Sequence, residues 1–264
     1  MNCLVCDSSM VYYFTKSFHS CDVEYYKCTH CGFVSSKTHR EMSEEKFGLL
    51  NCAYHQTYQG KDSNPDDPRW FHRLNIQAEV IDDAAFLGLI KADGKWVDYA
   101  CGGGELSSIL AAKYGRNLLN YDKYMGKENS YLKNEDMIPR TFDFVITTSV
   151  FEHFTKKKHF AAVESLVGKT GVFGIHTVVC EEIPQDPQWF YYTPIVHCSF
   201  FTNKAMSILF NQWGYSSSIY NVNSRLWLWF KEPPLNIKEQ LEVANTREQG
   251  PTYIYKDGFV DYWK

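Results

Sequence analysis

No apolar run in the 264 residues approaches the ~18 that a membrane-spanning helix needs, which excludes a helical integral membrane protein. The opening MNCLVCDSSM has neither a basic n-region nor an apolar h-region, so the expectation is a cytoplasmic protein. Basic charge is also in short supply. The formal net charge is −4, which leaves no global cationic surface to neutralise a phosphate backbone and disfavours nucleic acid as a substrate. No internal repeat or low-complexity tract occurs, which argues against a solenoid or a linker array. What remains is ordinary globular composition, with 44% hydrophobic and 22% charged residues, enough for one domain plus a small accessory unit. Aromatics, at 16%, are abundant, and core packing accounts for them more simply than a ring-stacking site does.

Three segments follow from the patterning: residues 1–60, 61–232 and 233–264. The first holds six of the nine cysteines, at positions 3, 6, 21, 28, 31 and 52. GKDSNPDDPRW (Gly60–Trp70) reads as a linker or a loop over a cleft. Beyond it, FHRLNIQAEVIDDAAFLGLI has helical spacing, a strand ends near Tyr99, and ELSSILAAKYG is a helix stopped by Gly115. NLLNYD, FDFVITTSV and GVFGIHTVV (Gly171–Val179) read as three more strands, with a helix through KKKHFAAVESLV before the last. Strands alternating with helices predict a parallel α/β sheet. FFTNKAMSILFNQWGY reads as a helix ending at Gly214. SSSIYNV and SRLWLWF lie too close for a parallel crossover and predict an antiparallel hairpin closing the sheet. The aromatic-ended tail is expected to pack on the body or on a partner chain. Oligomeric state cannot be read from the sequence.

Between the first strand and its helix stands VDYACGGGE. Such a glycine turn lets a ligand approach the backbone and the helix N-terminus. Gly102, Gly104 and Ser107 occupy the places of a dinucleotide fingerprint, but Glu105 would then sit against the pyrophosphate, which argues against NAD or FAD. The stretch closely resembles the first motif of class I S-adenosylmethionine-dependent methyltransferases, through Asp98, Cys101, Gly102 and Gly104, with Ala100 where a first glycine is usual. The resemblance implies a Rossmann-like fold and a cofactor site built from Asp98, Ala100, Cys101, Gly102 and Gly104, with Asp122 holding the ribose hydroxyls. FDFVITTSVFEHF is similar to the family's fourth-strand motif at Asp143, Glu152 and His153. That family often has an acid near the adenine after the third strand; the stretch MGKENSYLKNEDMIPRT is compressed and offers Glu135 or Asp136 for it.

CLVC and YKCTHCG place Cys3, Cys6, Cys28 and Cys31 in two C-x-x-C pairs separated by residues 7–27. Two thiolate knuckles predict a closed four-cysteine zinc site that is structural, having no open position for a water. Cys21, His19 and His30 are alternative ligands. Residues 1–60 carry five basic and six acidic side chains, so this zinc-ribbon-like unit is not a basic clamp. A unit of this kind ahead of the glycine motif resembles bacterial sugar-modifying methyltransferases, including deoxysugar C-methyltransferases. PIVHCSFFTNKAMSILFNQWGY is similar to a segment of that group, with His197 as the matching histidine. Where that group has Tyr-His-Glu-His, this chain has Pro194, Ile195, Val196 and His197. The missing tyrosine and carboxylate favour oxygen over carbon as the methylated atom.

Methyl transfer to a hydroxyl needs alignment and a base for the departing proton. His153 and His197 are the candidates, with Glu152 to orient His153 or contact the cofactor's methionine end. His176 is a third histidine that could face the cleft. Trp189, Phe190, Tyr191 and Tyr192 could stack on a sugar, and Lys156–Lys158 could meet a nucleotide-sugar diphosphate, although core packing and solvated surface explain them as well. The expected function is O-methylation of a sugar or glycan hydroxyl, with S-adenosylmethionine as donor, zinc as structural metal and a small molecule, glycan or nucleotide sugar as acceptor. The rival readings are an RNA methyltransferase guided by the zinc ribbon and a non-catalytic binding module. An acidic ribbon and the lack of an Asn/Asp-Pro-Pro-Tyr/Phe motif weigh against the first.

Overall fold

The computed structural model describes residues 1–56, 69–125, 130–247 and 252–262. The linker expected at Gly60–Trp70 and the boundary near residue 60 fall largely outside them. The chain opens with β1 (Met10–Ser17), β2 (Asp22–Cys28), β3 (Val34–Ser36), α1 (Lys37–Glu41) and α2 (Glu44–Gln56). Then come α3 (Trp70–Phe86), β4 (Trp96–Tyr99), α4 (Glu105–Tyr114), β5 (Leu118–Tyr121), β6 (Phe142–Thr148), α5 (Lys157–Leu166) and β7 (Val167–His176). β8 (Val179–Cys180), β9 (Ser199–Thr202), α6 (Asn203–Gln212), β10 (Ser217–Asn221), β11 (Leu226–Phe230), α7 (Ile237–Arg247) and β12 (Tyr253–Lys256) complete it.

Seven strands form the main sheet in the order β12-β10-β11-β7-β6-β4-β5. β5, β4, β6 and β7 run parallel, and β11, β10 and β12 add antiparallel to one side. This is the expected α/β sheet closed by a hairpin. Its inner strands are apolar on both faces because helices cover both. Side chains alternate accordingly: Val97, Val145 and Phe173 join the core shared with α5 and α6, while Trp96, Phe144 and Val172 join the one shared with α3, α4 and α7. Among the described residues no helix is long and apolar enough to cross a membrane.

A second sheet has the order β1-β2-β3-β9-β8, so the N-terminal strands pair with a piece of the later chain through Val34 opposite Phe200. Two expectations change here. GVFGIHTVV is not one strand: β7 ends at His176, and β8 starts at Val179 in the other sheet. The break turns Thr177 inward, where its hydroxyl donates to Glu152 Oε2 at 2.9 Å. FFTNKAM likewise divides, because the Thr202 hydroxyl accepts from Ala205 N at 3.0 Å, caps α6 and leaves Phe200–Thr202 in β9.

The tail lies on the body. β12 pairs with β10, and Trp227 Nε1 donates to Val260 O at 2.9 Å. Phe151 anchors the turn after β6: it is fully buried and ring-packed against Phe154, Phe160, Phe173, Phe201 and Trp213. Truncation to alanine would cost about 3–5 kcal/mol and release the adjoining Glu152.

Candidate active site and cysteine cluster

The turn after β4 is built from left-handed residues: Ala100 at φ +60°, Gly102 at +57° and Gly104 at +81°. Gly104 is required twice over, since a Cβ there would also lie 2.9 Å from Asn120 Nδ2 and 3.0 Å from Tyr131 Oη. Ala100 holds the same backbone shape at a small steric cost. Asp122, one residue past β5, locks the turn in place: its Oδ2 accepts from Gly102 N at 3.0 Å and its Oδ1 from Tyr124 N and Met125 N at 2.8 and 2.7 Å. Asp98 lies beneath, 1% exposed, with Oδ1 unpartnered. Burial, with Asp122 and Glu105 nearby, holds its carboxyl well above the usual range.

Two cavities meet at this turn, along His55, Ala100, Gly102, Ser149 and His153. The larger, about 650 Å³, reaches Cys101, Glu105, Glu152, His176, Tyr191 and His197. The smaller, about 170 Å³, reaches Asp122, Tyr99 and Tyr124. Of the predicted cofactor residues, Ala100, Cys101, Gly102 and Asp122 therefore line cavity walls, whereas Asp98 and Gly104 shape the turn from behind. Glu135 and Asp136 line neither cavity, and the Asp136 carboxylate is engaged by Lys133 N at 2.8 Å.

Glu152, His153 and His197 converge at the floor of the larger cleft, each offering a ligand-type atom within 4.8 Å of the others. Glu152 is fully buried, and its Oε1 accepts from Tyr191 Oη at 2.6 Å. Burial pushes its carboxyl up despite these donors. His197 Nδ1 lies 2.9 Å from Tyr191 O. A carbonyl only accepts, so Nδ1 carries the hydrogen and Nε2 presents a lone pair. Burial pushes this imidazole down to about 3. His153 stands edge-on to His197 at a ring separation of 5.0 Å, its Nδ1 buried and unpartnered. Burial and the neighbouring histidines keep it well below the ordinary range. His176 also faces the cleft, 3.3 Å from Ser149 Oγ and 3.5 Å from Arg73.

The aromatic run divides. Phe190 and Tyr191 line the cleft, while Tyr192 is buried in the small core with Phe14, Tyr25 and Phe200. The lysine run holds the N-terminal segment: Lys156 donates to Arg40 O, Lys157 pairs with Asp7 at 2.5 Å and Lys158 pairs with Glu44. It lines neither cavity, so the diphosphate expectation has no support there. Sequence reading missed Asn51, His55, Arg73, Ser149 and Arg225, all of which line these cavities. Only backbone shape marks two of them, Ser149 at φ +57° and Arg225 at +55°.

Away from the cleft, Cys3, Cys6, Cys28 and Cys31 bring four Sγ atoms within 4.8 Å of one another. Contacts of 3.6 Å (Cys3–Cys31), 3.5 Å (Cys6–Cys28) and 3.6 Å (Cys6–Cys31) are far too long for disulfides. They approach the ~3.8 Å edge of a tetrahedron with 2.3 Å metal–sulfur bonds. Each knuckle turns through a left-handed residue, Asp7 at +60° and Gly32 at +74°. Val5 N donates to Cys3 Sγ, and His30 N and Cys31 N donate to Cys28 Sγ, all at 3.4 Å. Cys21 and His30 are exposed and His19 lies on the β1–β2 turn, so the four cysteines form the cluster without them.

Residues 72–217, more than half of the chain, match the family model described as a methyltransferase domain. No curated protein matches the chain. Solved structures that do include a SAM-dependent methyltransferase from Archaeoglobus fulgidus, at 14% identity, 55% of this chain, 72% of that one and TM-score 0.41. Magnesium protoporphyrin IX methyltransferase from Synechocystis PCC 6803 matches at 12% identity, 71% and 97% coverage and TM-score 0.47. Human N-acetylserotonin methyltransferase matches at 12% identity, 71% and 67% coverage and TM-score 0.41. The chain belongs to the methyltransferase domain family, and it is an S-adenosylmethionine-dependent enzyme of the α/β, Rossmann-like class.

Proposed function

We propose that this enzyme methylates a hydroxyl of a sugar or glycan, with a cleft histidine receiving the proton. The Glu152–His153–His197 cluster, which lines the same cleft as the glycine turn, carries this reading. S-adenosylmethionine supplies an electrophilic methyl on a cationic sulfur. The chain's residues do the rest. Asp122 presents its remaining lone pair to the ribose diol, and Gly102 and Gly103 leave the backbone approachable beside it. In this reading His197, with a lone pair at Nε2, or His153, which lines both cavities, takes the acceptor's proton. Burial holds both imidazoles below the ordinary range, which favours the neutral form at rest but opposes protonation, so uptake of the acceptor's proton needs help from a neighbouring anion. The imidazolium formed on proton transfer would then lie beside the Glu152 carboxylate, held in place by Tyr191 and Thr177. Phe190 and Tyr191 supply flat apolar surface for a sugar ring.

The same proposal assigns zinc to Cys3, Cys6, Cys28 and Cys31. Four thiolates leave no open position, so the metal would fix the knuckles and do no chemistry. They brace α6, through Thr202 Oγ1 to Cys31 O at 2.5 Å and Gln212 Nε2 to Val5 O at 3.0 Å.

The test is transfer of isotopically labelled methyl to a panel of nucleotide sugars and glycans, with the product solved by NMR. A methyl on oxygen, lost in Glu152→Gln, is expected. Methylation of carbon or nitrogen would overturn the hydroxyl reading.

A further inference from the structure

α2 belongs to the N-terminal segment and lies outside the matched domain, yet it forms one wall of the smaller cavity, facing Asp122. It is pressed onto the loop after β5. A Cβ at Gly48 would come within 2.9 Å of the Tyr124 ring, and Cys52 Sγ sits 3.8 Å from Tyr124 O. From this wall Asn51 contributes to the cavity lining. The residue is 8% exposed, and its Oδ1 is buried without a hydrogen-bond partner. A buried amide oxygen left unmatched is costly, so the position makes sense when a bound molecule supplies a donor. Around it stand Phe47, Tyr124 and Phe154, rings that suit the faces of a planar heterocycle.

We infer that α2 is the adenine wall of the cofactor pocket and that the Asn51 carboxamide reads the edge of the base. Adenine presents its N6 hydrogens beside the N7 acceptor, and a carboxamide carries the complementary acceptor and donor, whereas a base with a carbonyl at position 6 offers two acceptors on that edge. The inference rests on Asp122 holding the ribose, because that places the base one glycosidic bond away in the same cavity. It also gives the N-terminal segment a part in cofactor recognition that a purely structural zinc unit would not have.

Calorimetric titration of the full chain with S-adenosylhomocysteine and with S-inosylhomocysteine, in which a carbonyl oxygen replaces the N6 amine, tests this. The wild type should prefer the adenosyl compound by about tenfold, the worth of one well-made buried hydrogen bond. Asn51→Ala should bind S-adenosylhomocysteine about tenfold more weakly and treat the two compounds alike. Asn51→Ser, too short to reach the base, gives the same readout if the alanine variant fails to fold. Equal binding of both compounds by the wild type, or an undiminished preference in the variants, overturns the inference alone. A folded wild type that binds neither compound removes the cofactor-site reading beneath it as well.

Discussion

His197 offers a sharp test of the site because its environment shifts protonation far enough to be read as stability. An ordinary imidazole titrates near 6.5, and burial takes His197 down to about 3 in the folded protein. A folded value below the unfolded one means that stability is fully present above pH 6.5 and is lost as pH falls toward 3. Between pH 7 and 5 the unfolded chain takes up a proton that folded His197 refuses, which should cost about 2 kcal/mol. Other buried groups contribute with both signs. His153 and His176 lie low and add to the loss, while Asp98 and Glu152 lie high and oppose it. The usable quantity is therefore the difference between wild type and His197→Asn, whose amide can still donate to Tyr191 O. Urea unfolding at pH 7 and 5 should show the wild type losing about 2 kcal/mol more than the variant. Parallel losses in the two proteins would mean that His197 is charged or hydrated in the fold. An imidazole already carrying a proton could not accept one from a substrate.

Three other outcomes follow from the same geometry. Glu152→Gln should lower kcat about 10²- to 10⁴-fold with little change in cofactor KM, and Tyr191→Phe about tenfold; a change confined to KM would move these residues out of the proton path. The purified chain should contain one zinc by atomic emission. In Cys31→Ser that zinc should be gone and the N-terminal sheet should become the first region to exchange its amide hydrogens; a metal-free wild type with the same exchange pattern would refute the zinc assignment. Gly104→Ala should destabilise the fold by about 1–2 kcal/mol from backbone strain alone, read as a shift in urea midpoint, and an unshifted midpoint would show that the turn does not need its left-handed geometry.

The sequence by itself determined the features that depend on short stretches of chain. The order of β4, α4, β5, β6 and α5 follows from apolar periodicity, and the glycine turn announces its left-handed backbone in its composition. The two C-x-x-C knuckles do the same for the cysteine cluster. Tertiary structure alone decided how distant stretches meet. Nothing local in VSS or SFFT says that Val34 will lie opposite Phe200, because strand pairing depends on what else needs covering. That pairing draws the chain out of the main sheet after His176, turns Thr177 toward Glu152, and carries Tyr191 and His197 to the cleft floor. The same docking sets α2 against Asp122, so Asn51 and His55 gain a place in the site that no motif marks. It also occupies the lysines of TKKKH with Arg40, Asp7 and Glu44. A charge run shows its sign in sequence, but its partner is settled only when two remote surfaces bury against each other.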